Sequence, residues 1–429
     1  MILLSSARQR VTNVPLLFRA HSVLGAETIT ALSYGRTIAA VMDRAEGMTF
    51  GVVDQRGRRG WASEDRGRIV HCYDGARFVP VLLLEGASTN LLHLSQKFTS
   101  GAWGTTNLTV TEDLPGPDGR PSAARLTASA TGATVLAQTR VVAATAAAFS
   151  VDITRGSSAT TPAAFGIRNE TTATDLVFVT FDYGTGTVAY TTGASGVAVQ
   201  RLGASGWYRL LMAARSGITS GDSIRGYVGF SGGVHTGGDN LIASNAQLEA
   251  RGWPTSPIIV PSTTPQSRVT DTLYFPTALP LKPCTLYLRF VELGTGLDGA
   301  NHGVCGLGSG DNASIFLLNG GANTYHAIHR QFSDVSTATV LPSPAFGDMV
   351  ELRLEVFETG ALRLSQALNG GAEVVGAASA AQAFLNAFYV GRFYVGSRGP
   401  LAGAIGVHAA LVAEGYPSLT ECRDLCEVG

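Results

Sequence analysis

Residues 80–92 read Pro-Val-Leu-Leu-Leu-Glu-Gly-Ala-Ser-Thr-Asn-Leu-Leu, and how this stretch is read decides what the rest of the chain becomes. Val81–Leu84 is an apolar run of strand length, the pattern of a strand buried on both faces. Glu85-Gly86 ends it. Ser88-Thr89-Asn90 then supplies short polar side chains that bond to local backbone in a turn. Leu91-Leu92 follows at once. The stretch is a core strand, a tight corner and the start of a large β domain. Before it lies an Arg-rich segment of mixed charge; after it, short apolar runs recur between turns.

At 429 residues the chain has room for about three domains of roughly 150 residues. Charged residues are 15% of it, against about 25% in an average globular chain, and 52 glycines help fill the difference. Few charges and many glycine turns suit β-sandwiches whose faces are Thr- and Ser-rich or covered by neighbouring subunits. The formal net charge of −1 gives no electrostatic handle for nucleic acid or an anionic membrane, and little repulsion between copies. Lys97 and Lys282 are the only lysines. The five cysteines, Cys72, Cys284, Cys305, Cys422 and Cys426, are an odd count without regular spacing. Reduced thiols in a protein assembled in a bacterial cytoplasm are the plainer reading, with a Cys284–Cys305 bridge left open. The first apolar run is too short for a signal sequence and no long apolar span follows. A soluble chain that does not use the usual export routes is expected.

Residues 1–92 form a small mixed segment. Val14–Phe18 and Thr37–Met42 can make short strands. Thr49–Asp54 and Arg68–Tyr73 alternate, with Gln55-Arg56-Gly57-Arg58 as a turn between them. Arg56, Arg58, Arg59, Arg66 and Arg68 sit among Asp54, Glu64 and Asp65 without interleaved aromatics, which favours a charged hairpin over a nucleic-acid surface. The segment is too small and polar to stand alone and is expected to attach to a partner. Residues 93–265 show runs at sandwich spacing: Thr106–Glu112, Ala124–Ala128, Thr134–Val141, Ala147–Thr154, Ala163–Arg168, Leu176–Phe181, Thr187–Thr192, Trp207–Arg215, Ser223–Phe230 and Leu241–Glu249. Pro254, Pro257, Pro261 and Pro265 exclude helix and central strand, and read as a stiff linker between domains. Residues 266–429 read as a second sandwich. Its strands are Cys284–Val291, Ser314–Leu318, Thr324–His329, Val350–Phe357, Ala361–Leu368, Phe388–Gly391 and Ala404–Val412, with a hairpin at Glu358-Thr359-Gly360. Ser418–Glu427 reads as a helix: Ser418 caps it, Glu421 holds the capping-box position, and Leu419, Cys422 and Cys426 line one face. The expected class is all-β, two β-sandwich domains behind an N-terminal attachment segment.

Leu84-Glu85-Gly86-x-x-Thr89-Asn90-Leu91-Leu92, followed by Ser95-Gln96-x-Phe98 and Trp103, resembles the junction of many tailed-phage virion proteins, among them tail fibres, minor tail proteins and head spikes. Gly206-Trp207-Tyr208-Arg209, the closing Ala246-Gln247-Leu248-Glu249 with Pro254-Thr255-Ser256-Pro257-Ile258, and Arg268-Val269-Thr270-Asp271 are similar to the carbohydrate-binding-module-like jelly roll of those proteins. Pro257 stands where that family has a Tyr. The order Thr285–Phe290, Gly306–Asn312, Gly347–Leu354 and Gly360–Leu364 resembles a concanavalin-like, laminin-G-type sandwich. The resemblance implies a structural protein on the virion surface, a homo-oligomer with a trimer favoured, docked on a tail or head protein through its N-terminal segment. It also implies lectin-like modules that bind host cell-surface polysaccharide, with no nucleic acid or membrane as partner. Tail fibre or tip and capsid decoration without receptor binding both stay open. A bacterial carbohydrate-binding adhesin is the rival, weakened by the missing export signal.

Trp103, Trp207 and Trp253 are the aromatics best able to stack on a sugar, and a core role suits Trp207, which leaves Tyr208 facing out. Tyr325 and His329 share one side of a strand and could meet a sugar, while His326 faces the other way. Asp298, Asn301, Asp311 and Asn312 lie in Gly-rich loops that could hold calcium, with ordinary turn residues as the competing reading. No other cofactor is expected: Cys422 and Cys426 lack the second pair a closed zinc site needs. Glu292, Glu351, Glu355 and Glu358 carry no motif of paired catalytic carboxylates. Gly-x-Ser-x-Gly, His-Glu-x-x-His and phosphate-loop patterns are absent, so no enzyme is expected.

Overall fold

The structure is a computed structural model. It describes residues 86–157, 162–193, 196–202, 206–230, 235–268, 283–294, 344–381 and 404–427 continuously, and further strands between Leu16 and Val395 outside these. Among the described residues the regular structure is strand throughout, apart from one helix, Leu419–Glu427. They divide into two compact units, one of residues 1–44, 65–86 and 270–429, the other of 45–64 and 87–269.

The unit containing residues 87–269 is a sandwich of two six-stranded antiparallel sheets. One runs, in spatial order, Gly104–Thr106, Thr134–Val141, Ser223–Phe230, Ala163–Asn169, Thr174–Asp182 and Thr187–Thr192. The other runs Leu108–Pro115, Pro121–Ala128, Asn240–Glu249, Ala147–Arg155, Trp207–Ala214 and Val197–Leu202. Alternation sets the faces. Phe149, Val151 and Ile153 from one sheet meet Val177, Val179 and Phe181 from the other in one buried core with Leu126, Phe165 and Met212. Each such side chain contributes about 1.5–3 kcal/mol by leaving water. Packing is tight enough to require Gly226, where a Cβ would meet the Phe149 ring at 2.4 Å. Val197–Leu202 is a strand the sequence reading did not anticipate, although Val197 and Val199 alternate onto the core.

The other unit pairs a ten-stranded with a seven-stranded sheet. The ten-stranded path is Arg36–Thr37, Ala26–Ser33, Leu16–Val23, Ala404–Glu414, Cys284–Glu292, Met349–Val356, Leu362–Leu368 and Val374–Val375. Phe78–Glu85 joins it through Ala404–Glu414, and Arg68–Tyr73 pairs with Phe78–Glu85. The expected 1–92 attachment segment is therefore not a separate body. Leu82–Glu85 pairs with Ala404–Val407, Leu16–Arg19 with Ala409–Val412, and Val41–Asp43 with Thr272–Tyr274. The physical reason lies in Val81–Leu84: a run buried at 0–4% exposure needs neighbours on both sides, and the C-terminal strand supplies one. Thr49–Val53 pairs with Arg59–Ala62, a nearer partner than the expected Arg68–Tyr73, and the expected turn at Gln55–Arg58 lies outside the described residues. His302–Gly308 and Asp334–Val340 were not anticipated; the expected Phe388–Gly391 strand lies outside the described residues.

All five cysteines are buried and none forms a disulfide, so the Cys284–Cys305 bridge is not formed. Burial pushes the Cys72 and Cys284 thiols up to about 12. The C-terminal helix follows its capping box: Glu421 accepts the Ser418 N–H at 2.8 Å and Ser418 Oγ accepts the Glu421 N–H at 3.2 Å. Leu419, Cys422 and Cys426 pack on Tyr287, Ala409, Leu411 and Ala413.

Candidate functional site

A bulge in Asn240–Glu249 sets the geometry of the candidate site. Asp152 pairs with Ser244 and Ser150 with Gln247, so two residues oppose Val151 alone. Asn245 occupies this position at φ 50°, in the left-handed region that Asn tolerates. Before the bulge Leu241 and Ala243 face the core; after it Ala246 and Leu248 do. The extra residue re-phases the strand and places Gln247 and Glu249 on the outer face with Ser150, Asp152 and Arg209. All five are buried.

What buries them is the chain on either side of the sandwich. Arg209 Nη1 pairs with Asp152 Oδ1 at 3.0 Å, and its Nη2 donates to Ser150 Oγ at 2.6 Å and the Thr255 carbonyl at 3.2 Å. Asn245 donates to Asp152 Oδ2 at 2.7 Å and accepts from Gln96 at 2.6 Å. Glu249 accepts the Thr255 N–H and hydroxyl, both at 2.8 Å, and the Ser88 hydroxyl. The Gln247 side chain accepts the Ile258 N–H at 2.5 Å. Asn90 donates to the carbonyls of Ala246 and Ile258 and accepts the N–H groups of Leu92 and Leu248, at 2.8–3.2 Å. Ser95 Oγ accepts the Val260 N–H, and Arg268 donates to Ser256 Oγ. The proline run is thus no free linker up to Val260: Trp253, Thr255, Ile258 and Val260 are buried, and the exposed stretch is Pro261–Ser267. Prolines there remove donors, and the N–H groups of Thr255, Ile258 and Val260 all find side-chain acceptors.

The anticipated sugar contacts fare differently. Trp103 is 6% exposed, its indole N–H donates to the Leu94 carbonyl at 3.1 Å, and its ring meets Phe98 edge-on at 4.9 Å. Tyr325 is fully buried, with its hydroxyl on Glu292 at 2.7 Å and its ring on Phe290. Neither has a face open to a sugar, because each fills the core its strand or turn closes. Trp207 and Trp253 are buried as well. Tyr208 is half-buried, tilted on Phe181 at 4.9 Å. His329 lies on the strand Tyr325–Gln331, paired with Ile315 and Ser336; its side chain lies outside the described residues. Asp298, Asn301, Asp311 and Asn312 also lie outside the described residues. Among the described residues no group of three or more His, Cys, Asp or Glu side chains could hold a metal ion.

Three of the carboxylates weighed for catalysis are bonded inside the second unit. Glu292 binds Tyr325. Glu351 pairs with Arg423 and accepts the Tyr287 hydroxyl at 2.7 Å; burial, then the Glu351 charge, pushes the Tyr287 hydroxyl up. Glu355 lies between Arg353 and Arg363. Burial alone would raise its pKa, but the bonds to those guanidiniums outweigh that and hold it low.

The outer face of the other six-stranded sheet was missed by sequence reasoning. Tyr227 lies across Gly166, where a Cβ would meet its hydroxyl at 2.4 Å, and the Arg225 guanidinium sits 5.6 Å above its ring. Arg225 pairs with Glu170 at 2.9 Å and Arg168 with Asp175 at 3.1 Å. At 7% exposure the ring is covered, and the face offers ion pairs in place of an aromatic shelf.

No protein-family model matches the chain, and no curated protein matches it. Solved structures to which it is similar include the enzymatically active domain of bacteriophage CBA120 tailspike protein 2, at 14% identity and TM-score 0.27, over 37% of this chain and 25% of that one. Mouse laminin alpha1 domains LG4-5 are similar at 12% identity and TM-score 0.20, over 78% and 94%. The tandem CBM22 domain of Paenibacillus barcinonensis Xyn10C is similar at 9% identity and TM-score 0.26, over 77% and 99%. The chain spans about a quarter of the tailspike domain's length. At such scores these likenesses carry no argument about activity. The class, an all-β protein of two sandwich units, stands on the strands themselves.

Proposed function

We propose that the chain is a structural surface protein of a tailed-phage particle, a tail fibre, tip or receptor-binding spike that presents lectin-like modules to host glycan. One observation supports this most. The stretches that resemble phage proteins are scattered over Ser88–Arg268, yet Asn90, Ser95, Gln96, Arg209, Gln247, Glu249, Thr255 and Arg268 meet on one face or its flank. Motifs matched by chance along a sequence have no reason to converge in space. The chain would act as a homo-oligomer held on a tail or head protein, with glycan contact left to His329, Tyr208 and the loops holding Asp298, Asn301, Asp311 and Asn312, with or without calcium.

A capsid-decoration role without receptor binding is the second reading, favoured by the burial of Trp103, Tyr325 and Tyr227. Titrating labelled protein on host cells and host polysaccharide, with and without calcium, separates the two. Saturable binding supports the receptor role. No binding, with the chain present on particles, leaves decoration. Absence from particles contradicts both.

A further inference from the structure

The edge of the ten-stranded sheet beside Leu362–Leu368 is formed by a ribbon with an unusual rhythm. From Gly371 to Ala381 every third residue, Glu373, Gly376 and Ser379, is half-buried and the rest are exposed. Those three anchor the ribbon: Glu373 pairs with Arg353 at 2.7 Å, the Gly376 N–H donates to the Leu364 carbonyl and the Ser379 N–H to the Leu362 carbonyl, both at 2.8 Å. Everything between and just after them is exposed and is Ala or Val: Val374, Val375, Ala377, Ala378, Ala380 and Ala381. Val374 and Val375 are 45% and 52% exposed, and no further strand of the described residues pairs with them on the other side.

Nearby, Tyr416 is 43% exposed and tilts on Phe357, which lies under Arg363, the partner of Glu355 in the Arg353 network. Three of the four exposed large hydrophobics among the described residues therefore surround one ion-pair cluster. Proteins usually blunt a free edge with an outward charge, a proline or a bulge. This ribbon carries one charge, Glu373, and that one is turned inward. An edge without charge selects no charged partner, while its backbone complements an edge like itself, and a chain of net charge −1 repels its copies little.

We propose that the Ala372–Ala381 ribbon is the surface through which copies of this chain associate. This rests on the reading of the chain as a homo-oligomer and names the surface that makes it one. The test is the solution mass of the full chain by size exclusion with light scattering, for the wild type and for V374K/V375K. Both side chains are exposed, so the variant should keep the wild-type circular dichroism and a cooperative melt, at a melting point that no longer rises with concentration. We expect a multiple of 44.6 kDa for the wild type and a fall to that single-chain mass for the variant. As a second measurement, hydrogen exchange of ribbon amides in the wild type should slow as concentration rises. An oligomeric wild type whose mass survives V374K/V375K overturns the surface while leaving the homo-oligomer. A monomeric wild type at all concentrations overturns both, without touching the chain's presence on particles.

Discussion

Asn90 makes four hydrogen bonds with no exposed surface. Asn90→Ala strands its partners, and a loss of about 3 kcal/mol is expected, read as a lower urea midpoint at unchanged slope. Arg209 and Asp152 test the same face by charge: Arg209→Met should cost about 3–5 kcal/mol, and adding Asp152→Leu should recover much of it, since an unpaired buried charge is worse than none. Asp222 gives a pH signature. The Thr219 N–H, then the Asn169 amide, hold its pKa below the ordinary value. A depressed folded pKa adds stability above the unfolded value of about 3.9, lost as pH falls through the folded one. Asp222→Asn should therefore flatten the fall in stability below about pH 4 and leave the slope near neutrality unchanged, checked by urea titrations across that range. Residue roles were only partly legible. Alternation told that Phe149 and Val179 face a core, but it cannot tell a buried Trp103 or Tyr325 from an exposed one, because both are strand-compatible aromatics beside glycine turns.

At the scale of the element, what was local in sequence was readable. The helix announced itself by Ser418 and Glu421, three residues apart, and Ser418→Ala should lower the melting free energy by about 1 kcal/mol. Thr134–Val141 and Ser223–Phe230 have the expected bounds. The bulge at Asn245 was not readable, because it exists only against Val151 on another strand. Its left-handed backbone makes a discriminating pair of variants. Asn245→Ala should lose the Asp152 and Gln96 bonds and add about 1–2 kcal/mol of backbone strain; Asn245→Gly should lose only the bonds and be the more stable in urea. Equal losses would mean that the left-handed backbone costs Ala nothing and that the side-chain bonds alone hold the bulge.

For the whole molecule, strands before residue 86 and strands after residue 270 build one unit, and sequence periodicity carries no signal of that distance. Val81–Leu84 was correctly a buried strand, but its partner, Ala404–Val407, lies more than three hundred residues away. A fragment of residues 87–269 should therefore melt cooperatively. Residues 270–429 alone, with the edge of Ala404–Glu414 stripped of Phe78–Glu85 and Leu16–Val23, should not. Two stable fragments cut at 92 and 266 would favour the simpler tandem arrangement. The proposed function makes the molecule a built part of a particle. Quantitative peptide mass spectrometry of purified, intact particles tests it most directly: peptides from this chain should appear at a fixed, multi-copy ratio to the major shell protein. A chain abundant in the lysate but missing from the particles would contradict it.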